Sequence, residues 1–358
     1  MNYYKFFRPI IFKLEPETAH QLAINYLKFL PRFNNLFYHP KNYPQLNQQI
    51  FNLNFTNPVG MSAGFDKNAE IVSSLFNFGF SFIEAGTTTP LPQIGNDKPR
   101  IFRLTEDSAI INRLGFNNLG AEVFLQNLGL IKRNSSQILG VNIGKNKDTA
   151  DFIADYILLL KKFYQIADYI TINISSPNTK NLRDIQNHQN LEIFLTAINQ
   201  EKINLQKTYQ KNTPIFLKIA PDLNFSELES IAELTSKNNI DAVIISNTTI
   251  DRDLNLKSSF KTQSGGLSGS PLFKKSNQIL GEFYKLTKGN IKIIGVGGIA
   301  NGDDAYHKIK NGASLIQIYS AFIYQGFGLV EEIKKSLCNH LKKDGFQNIS
   351  QAIGVNFK

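Results

Sequence analysis

Residues 291–320 read IKIIGVGGIANGDDAYHKIKNGASLIQIYS, and this stretch sets the fold class. The run 291–296 is apolar, rich in Ile and of strand length, and it passes into Gly295-Val296-Gly297-Gly298-Ile299. Asn301-Gly302-Asp303 marks a helix start, and a second apolar run at 315–318 ends in Tyr319-Ser320. A buried strand, a glycine turn, a helix and another buried strand form a parallel βαβ unit. Glycines let the backbone approach a ligand closely, and N–H groups at a helix start attract anions. The unit therefore predicts a phosphate cradle as well as a parallel sheet.

Working outward, six more apolar runs of similar length lie at 58–63, 80–85, 138–143, 169–174, 215–219 and 242–246. Amphipathic stretches such as 148–163, 225–237 and 276–287 separate them. Eight strand–helix alternations favour a closed (β/α)₈ TIM barrel over an open doubly wound sheet. The 358-residue length exceeds the ~250 residues of a plain barrel, so an accessory segment is expected. Residues 1–40 read as that segment. Tyr3, Phe6, Phe7, Ile10 and Leu14 recur at helical spacing. A second helix opens at Pro16, carries Ala19, Leu22, Ala23, Tyr26, Leu27 and Leu30 on one face, and ends at Pro31. The expected division is thus 1–40, a helical extension, and 41–358, the barrel.

Composition narrows the class. With 42% hydrophobic and 19% charged residues the chain is globular and not disordered. The formal charge of +10 comes without a long basic cluster, a zinc-ligand spacing or an RNA-binding signature, so neither a nucleic-acid partner nor a metal is expected. The single cysteine, Cys338, excludes an intramolecular disulfide. No apolar run approaches the ~18 residues of a spanning helix.

The strand ends carry the polar residues. Ala63-Gly64-Phe65-Asp66-Lys67 follows strand one, Asn142-Ile143-Gly144-Lys145-Asn146 ends strand three, and strand four runs into Asn173-Ile174-Ser175-Ser176-Pro177-Asn178-Thr179. Lys218 lies in strand five, and Ser246-Asn247-Thr248-Thr249 ends strand six. Active sites of such barrels sit on this rim. Amides donate and accept hydrogen bonds, which suits a flat polar ring, while lysines suit an anion.

Eight segments together, GFDK within 63–67, NRLGF at 112–116, VNIGKN at 141–146, NISSPNT at 173–179, KIAPD at 218–222, SNTT at 246–249, GGLSGSP at 265–271 and GVGGI at 295–299, resemble the dihydroorotate dehydrogenase family in order and spacing across nearly the whole chain. The resemblance implies non-covalent FMN, one per chain, and oxidation of (S)-dihydroorotate to orotate in pyrimidine synthesis. It implies FMN contacts at Ala63, Gly64, Phe65, Asp66, Lys67, Thr87, Asn142, Asn173, Lys218, Ser246, Gly269, Gly298, Tyr319 and Ser320. Substrate contacts fall on Lys67, Asn112, Arg113, Leu114, Gly115, Phe116, Asn173, Asn178, Asn247 and Thr248, with Lys67 suited to the carboxylate. Lys218 would stabilise negative charge on reduced flavin.

Cytosolic members of the family place a cysteine as the base, whereas membrane-associated members use serine. The matching residue here is Ser176, the expected general base, with Thr179 and Ser175 as open choices for assistance. The same class carries a helical extension that forms a quinone tunnel, implying His20 (in PETAH, 16–20), Arg103 (in PRIFRL, 99–104) and Tyr319 as its lining. The resemblance therefore implies a membrane quinone as final acceptor, a monomer, and peripheral attachment at the cytoplasmic face of a bacterial inner membrane. The polar loop 178–190 is expected to act as a lid over the site. Another flavin barrel acting on a different enone would keep the glycines but lose the paired asparagines.

Overall fold

Each of the eight apolar runs forms a strand of the barrel. The computed structural model describes residues 4–29 and 41–358, so the expected roles of Tyr3, Leu30 and Pro31 lie outside the described residues. The strands are Val59–Met61, Phe82–Thr88, Ile138–Ile143, Tyr169–Asn173, Ile215–Ile219, Ala242–Ile245, Lys292–Val296 and Leu315–Ile318. All pair in parallel, in chain order, and strand eight closes on strand one through Ile316 opposite Val59. Strand two runs past its expected end at Ala85 to Thr88, with a shift of register against strand three between Ala85 and Thr88.

The two-residue period of a strand sorts side chains into two cores. Ile83, Leu139, Ile170, Leu217 and Ile316 face outward and pack beneath the helices. Phe82, Ile138, Tyr169, Phe216, Ile244 and Leu315 face inward and form an apolar floor. Glycines make room for its rings: a Cβ on Gly140 would lie 2.1 Å from the Tyr169 ring, and one on Gly60 would lie 2.3 Å from Phe82. A hairpin that the sequence pattern did not reveal, Gln48–Ile50 with Leu53–Phe55, plugs the barrel from below. Its Phe55 meets Phe82 edge-on at 5.5 Å, and Phe51 lies 5.1 Å from Phe216.

Helix ends follow local capping. The first amphipathic stretch becomes Phe152–Phe163 and not 148–163, because the Asp151 side chain accepts the Ala154 N–H and fixes the start. Phe225–Lys237 begins where expected, at a capping box between Asn224 and Glu227. Phe273–Thr287 starts one turn early, since a 3₁₀ turn at Ser270–Leu272 feeds straight into it. A second unforeseen element is an antiparallel sheet of Ile101–Leu104, Ala109–Asn112 and Gly266–Gly269. It carries the segments 99–104, 112–116 and 265–271 to the barrel rim.

The extension forms helices Tyr4–Ile11 and Pro16–Phe29. The Glu15 carboxylate accepts the N–H groups of Glu17 and Thr18 at the start of the second, ahead of Pro16 at its first position. Polar contacts from both helices tie the pair to the barrel, among them the following. The Tyr4 hydroxyl donates to the Ile323 carbonyl at 2.6 Å, and Arg8 donates to the Tyr324 carbonyl at 3.0 Å. Glu17 takes both arms of the nearly buried Arg100, at 2.6 and 3.0 Å. Such a fork-to-fork pair fixes orientation as well as position.

Candidate functional site

A cavity of about 350 Å³ opens at the C-terminal ends of the strands. Nineteen of the residues expected at the site border it: Ala63, Gly64, Lys67, Thr87, Asn112, Leu114, Gly115, Phe116, Asn173, Ser176, Asn178, Lys218, Ser246, Asn247, Thr248, Gly269, Gly298, Tyr319 and Ser320. Four others stand elsewhere. Asn142 is fully buried behind Thr87. The Asp66 carboxylate accepts the Glu70 and Ile71 N–H groups at 2.8 Å each, so its side chain braces a loop, and burial raises its pKa to about 6. Phe65 turns its ring away toward His20 and Phe322. Arg113 lies over the Phe102 ring and donates to Gln263 at 3.0 Å, so only its main chain faces the rim segment.

One end of the cavity is made of glycine turns. Gly297 and Gly298 have φ of +102° and +78°, and a Cβ on Gly298 would lie 2.4 Å from the Phe273 main chain. No other residue fits there, so the backbone itself forms the wall. The Ser276 hydroxyl, 2.9 Å from the Gly297 carbonyl, holds the turn from behind, and the buried Lys308 donates to that hydroxyl at 2.8 Å. Opposite, Ser320 donates to Ser268 at 2.8 Å.

The middle is an array of amides. Asn173 donates to Thr87 at 3.2 Å and accepts from Ser175 at 3.1 Å; Asn247 donates to Ser175 at 2.9 Å. Asn178 donates to the main-chain carbonyl of Asn112 at 3.1 Å, and Asn96 donates to the Asn178 carbonyl at 3.1 Å. The Ser176 hydroxyl lines the cavity and accepts the Asn178 N–H at 3.3 Å, while Ser175 is committed to the amides. The buried Thr179 hydroxyl has no hydrogen-bond partner. The expected lid narrows to a short loop. Arg183 donates to Ser175 O and Thr248 O at 3.0 and 2.8 Å and pairs with Asp222 at 2.8 Å, and the helix His188–Tyr209 begins directly after Asn187.

Two lysines supply positive charge. Burial holds the Lys218 ammonium below its ordinary pKa, opposed by Glu84 at 3.9 Å. Burial also lowers Lys67, to about 8, against the pull of Glu17. Glu84 and Gln317 escaped the sequence reading. The one available signal was a carboxylate inside an apolar strand run, at Phe82-Ile83-Glu84-Ala85.

A second, larger cavity of about 1130 Å³ lies between the extension and the barrel. Its walls are mainly apolar, and the three residues expected on a quinone tunnel, His20, Arg103 and Tyr319, border it together. Arg103 donates to the Ile11 and Leu14 carbonyls and covers the Phe12 ring at 4.6 Å. Burial and the Lys67 charge lower His20 to about 3, so its ring is neutral at ordinary pH. Lys67, Asn112, Leu114 and Tyr319 border both cavities.

Comparison with known proteins agrees with this geometry. The family model for dihydroorotate dehydrogenase matches residues 45–341. A dihydroorotate dehydrogenase (quinone) of Rhodopseudomonas palustris strain BisA53 is 44% identical over 349 residues, which cover 97% of this chain and 94% of that one. The protein of the same name from Xanthobacter autotrophicus is 44% identical over the full length of both chains. Among solved structures, DHODH from Eimeria tenella in complex with ferulenol matches with a TM-score of 0.91 at 38% identity, covering 98% of this chain and 99% of that chain. With sequence and backbone alike over essentially its whole length, the chain belongs to the dihydroorotate dehydrogenase family.

Proposed function

We propose that this protein oxidises (S)-dihydroorotate to orotate in the smaller cavity and passes the electrons to a membrane quinone in the larger one, a step of pyrimidine synthesis. The shared wall of Lys67, Asn112, Leu114 and Tyr319 carries the proposal, since it sets a polar site against an apolar one with no gap between. The donor set fits a single non-covalent FMN. The glycine turn suits its phosphate, Lys218 suits its reduced ring, and the buried Gln317 Oε1 at the cavity wall lacks a donor. Bound FMN supplies the hydride acceptor and the route for electrons onward.

Lys67 takes the substrate carboxylate, and Asn112, Asn173, Asn178 and Asn247 orient the ring by donating to its carbonyls and accepting from its N–H groups. Ser176 removes a proton from the ring carbon beside the one that loses hydride. A serine is a poor base and must hand the proton on. The unpartnered Thr179 hydroxyl is the acceptor nearest to hand in sequence, whereas Ser175 is already engaged. The loop at 178–182 excludes water, and every proposed contact comes from one chain.

Residues 1–40 serve as the quinone entrance and 41–358 as the barrel. Phe6, Phe7, Ile10, Leu22, Tyr26 and Phe29 are exposed, near the basic Arg8 and Lys28, as suits a helix pair lying in a membrane interface. No helix among the described residues is long and apolar enough to cross a membrane. The test uses purified, FMN-loaded protein with dihydroorotate and a long-chain quinone in detergent. Loss of quinone should equal gain of orotate; orotate formed with NAD⁺ or fumarate but not with quinone contradicts the proposal.

A further inference from the structure

A layer of polar side chains lies between the apolar floor of the barrel and the cavity, and Glu84 is at its centre. Glu84 is fully buried, yet five groups point at its carboxylate. Asn142 Nδ2 donates to Oε1 at 2.8 Å. Gln317 Nε2, the Thr171 hydroxyl and the Tyr169 hydroxyl donate to Oε2 at 2.9, 3.0 and 3.3 Å. Lys218 Nζ lies 3.9 Å from Oε1. An ionised carboxylate only accepts, so each amide that meets it must present its NH₂ and turn its oxygen away.

That constraint propagates. With Nδ2 committed to Glu84, Asn142 Oδ1 accepts from Thr87 at 2.6 Å and from Asn173 Nδ2 at 3.3 Å. Asn173 Oδ1 is then turned toward Asn247 Nδ2, at 3.4 Å. Gln317 obeys the same logic: its NH₂ is held by Glu84, which leaves Oε1 as a buried acceptor without a partner on the cavity wall. We infer that Glu84 is a positioning residue that sets which atom, donor or acceptor, each buried amide turns toward the cavity, and that it serves as counter-ion to Lys218. Its side chain is fully buried and does not line the cavity. This inference rests on the proposed binding of FMN and orotate in that cavity.

The test is Glu84→Gln, which keeps shape and volume but can present either an oxygen or an NH₂. Wild-type protein is loaded with FMN, and orotate binding is read from the change in flavin absorption. The variant should keep FMN while its Kd for orotate rises about 10- to 100-fold, the loss expected when one amide in the array turns the wrong way. The flavin midpoint potential should move upward, because a negative charge near Lys218 is gone. Unchanged orotate affinity and potential with only a lower Tm would reduce Glu84 to a structural residue and overturn the inference. A wild type that shows no orotate-induced change would overturn the proposed function along with it. Neutron diffraction of the wild type checks the same point without a variant. Asn142 deuterons aimed at an unprotonated Glu84 support the inference; a deuteron on the Glu84 carboxyl, or Asn142 oxygen facing it, overturns it.

Discussion

At the scale of single residues, the proposed chemistry rests on Ser176. Its hydroxyl faces the cavity and accepts the Asn178 N–H, and among the described residues no histidine or carboxylate hydrogen-bonds to it. Ser176→Ala should retain flavin and lose at least ~10²-fold in the rate of flavin reduction by dihydroorotate, measured by anaerobic stopped flow. Near-wild-type reduction would remove Ser176 from the mechanism. Ser176→Cys should keep part of the rate. Lys67 makes a pH prediction. Burial brings its pKa to about 8, so the cation that meets a carboxylate is present below that pH and lost above it. Orotate should therefore bind more weakly as pH rises from 7 to 9, and Lys67→Met should bind weakly at every pH; equal pH dependence in both proteins argues against the pairing. The rim residues were readable because amides and lysines at strand ends are chemically conspicuous. Glu84 and Gln317 were not, because their role depends on facing inward one layer below, and only the closed barrel makes that visible.

The eight strands were legible in the sequence as elements, since burial on both faces leaves an unmistakable apolar run. The antiparallel sheet was not. Its third strand, Gly266–Gly269, is a glycine-rich tetrapeptide that pairs with Ala109–Asn112 across more than 150 residues of chain, and nothing in its periodicity reports that. The loop expected at 178–190 contained both a 3₁₀ turn at Arg183–Gln186 and the start of a helix, because the polar residues there cap and clamp instead of dangling. The N-terminal helices reach the barrel through Tyr4, Arg8, the Glu17–Arg100 and Lys28–Glu70 pairs and the buried Ile24 and Leu27, and they enclose a largely apolar cavity. Removing residues 1–40 should abolish reduction of long-chain quinone and binding to vesicles, while dihydroorotate still reduces the flavin. Flavin content checks folding first. A flavin-loaded truncated protein that reduces quinone as well as the full chain would show that the larger cavity is not the quinone site.

At the scale of the whole molecule, a polar and an apolar cavity share one wall. The proposed function gives the polar pocket at the barrel mouth to a charged, hydrogen-bonding ring and the apolar space beneath the two helices to a lipid-like acceptor. The family likeness runs over the full length of the chain, through both the helical extension and the barrel. The claim on which everything else rests is that this barrel holds a flavin that dihydroorotate reduces. The direct measurement is an anaerobic titration of the purified, FMN-reconstituted protein with dihydroorotate, followed by visible absorption. The expected result is a yellow protein with about one FMN per chain whose flavin band bleaches in step with orotate formed, and whose colour returns on adding quinone. A folded protein that stays colourless after reconstitution, or a bound flavin that dihydroorotate leaves oxidised, would contradict it.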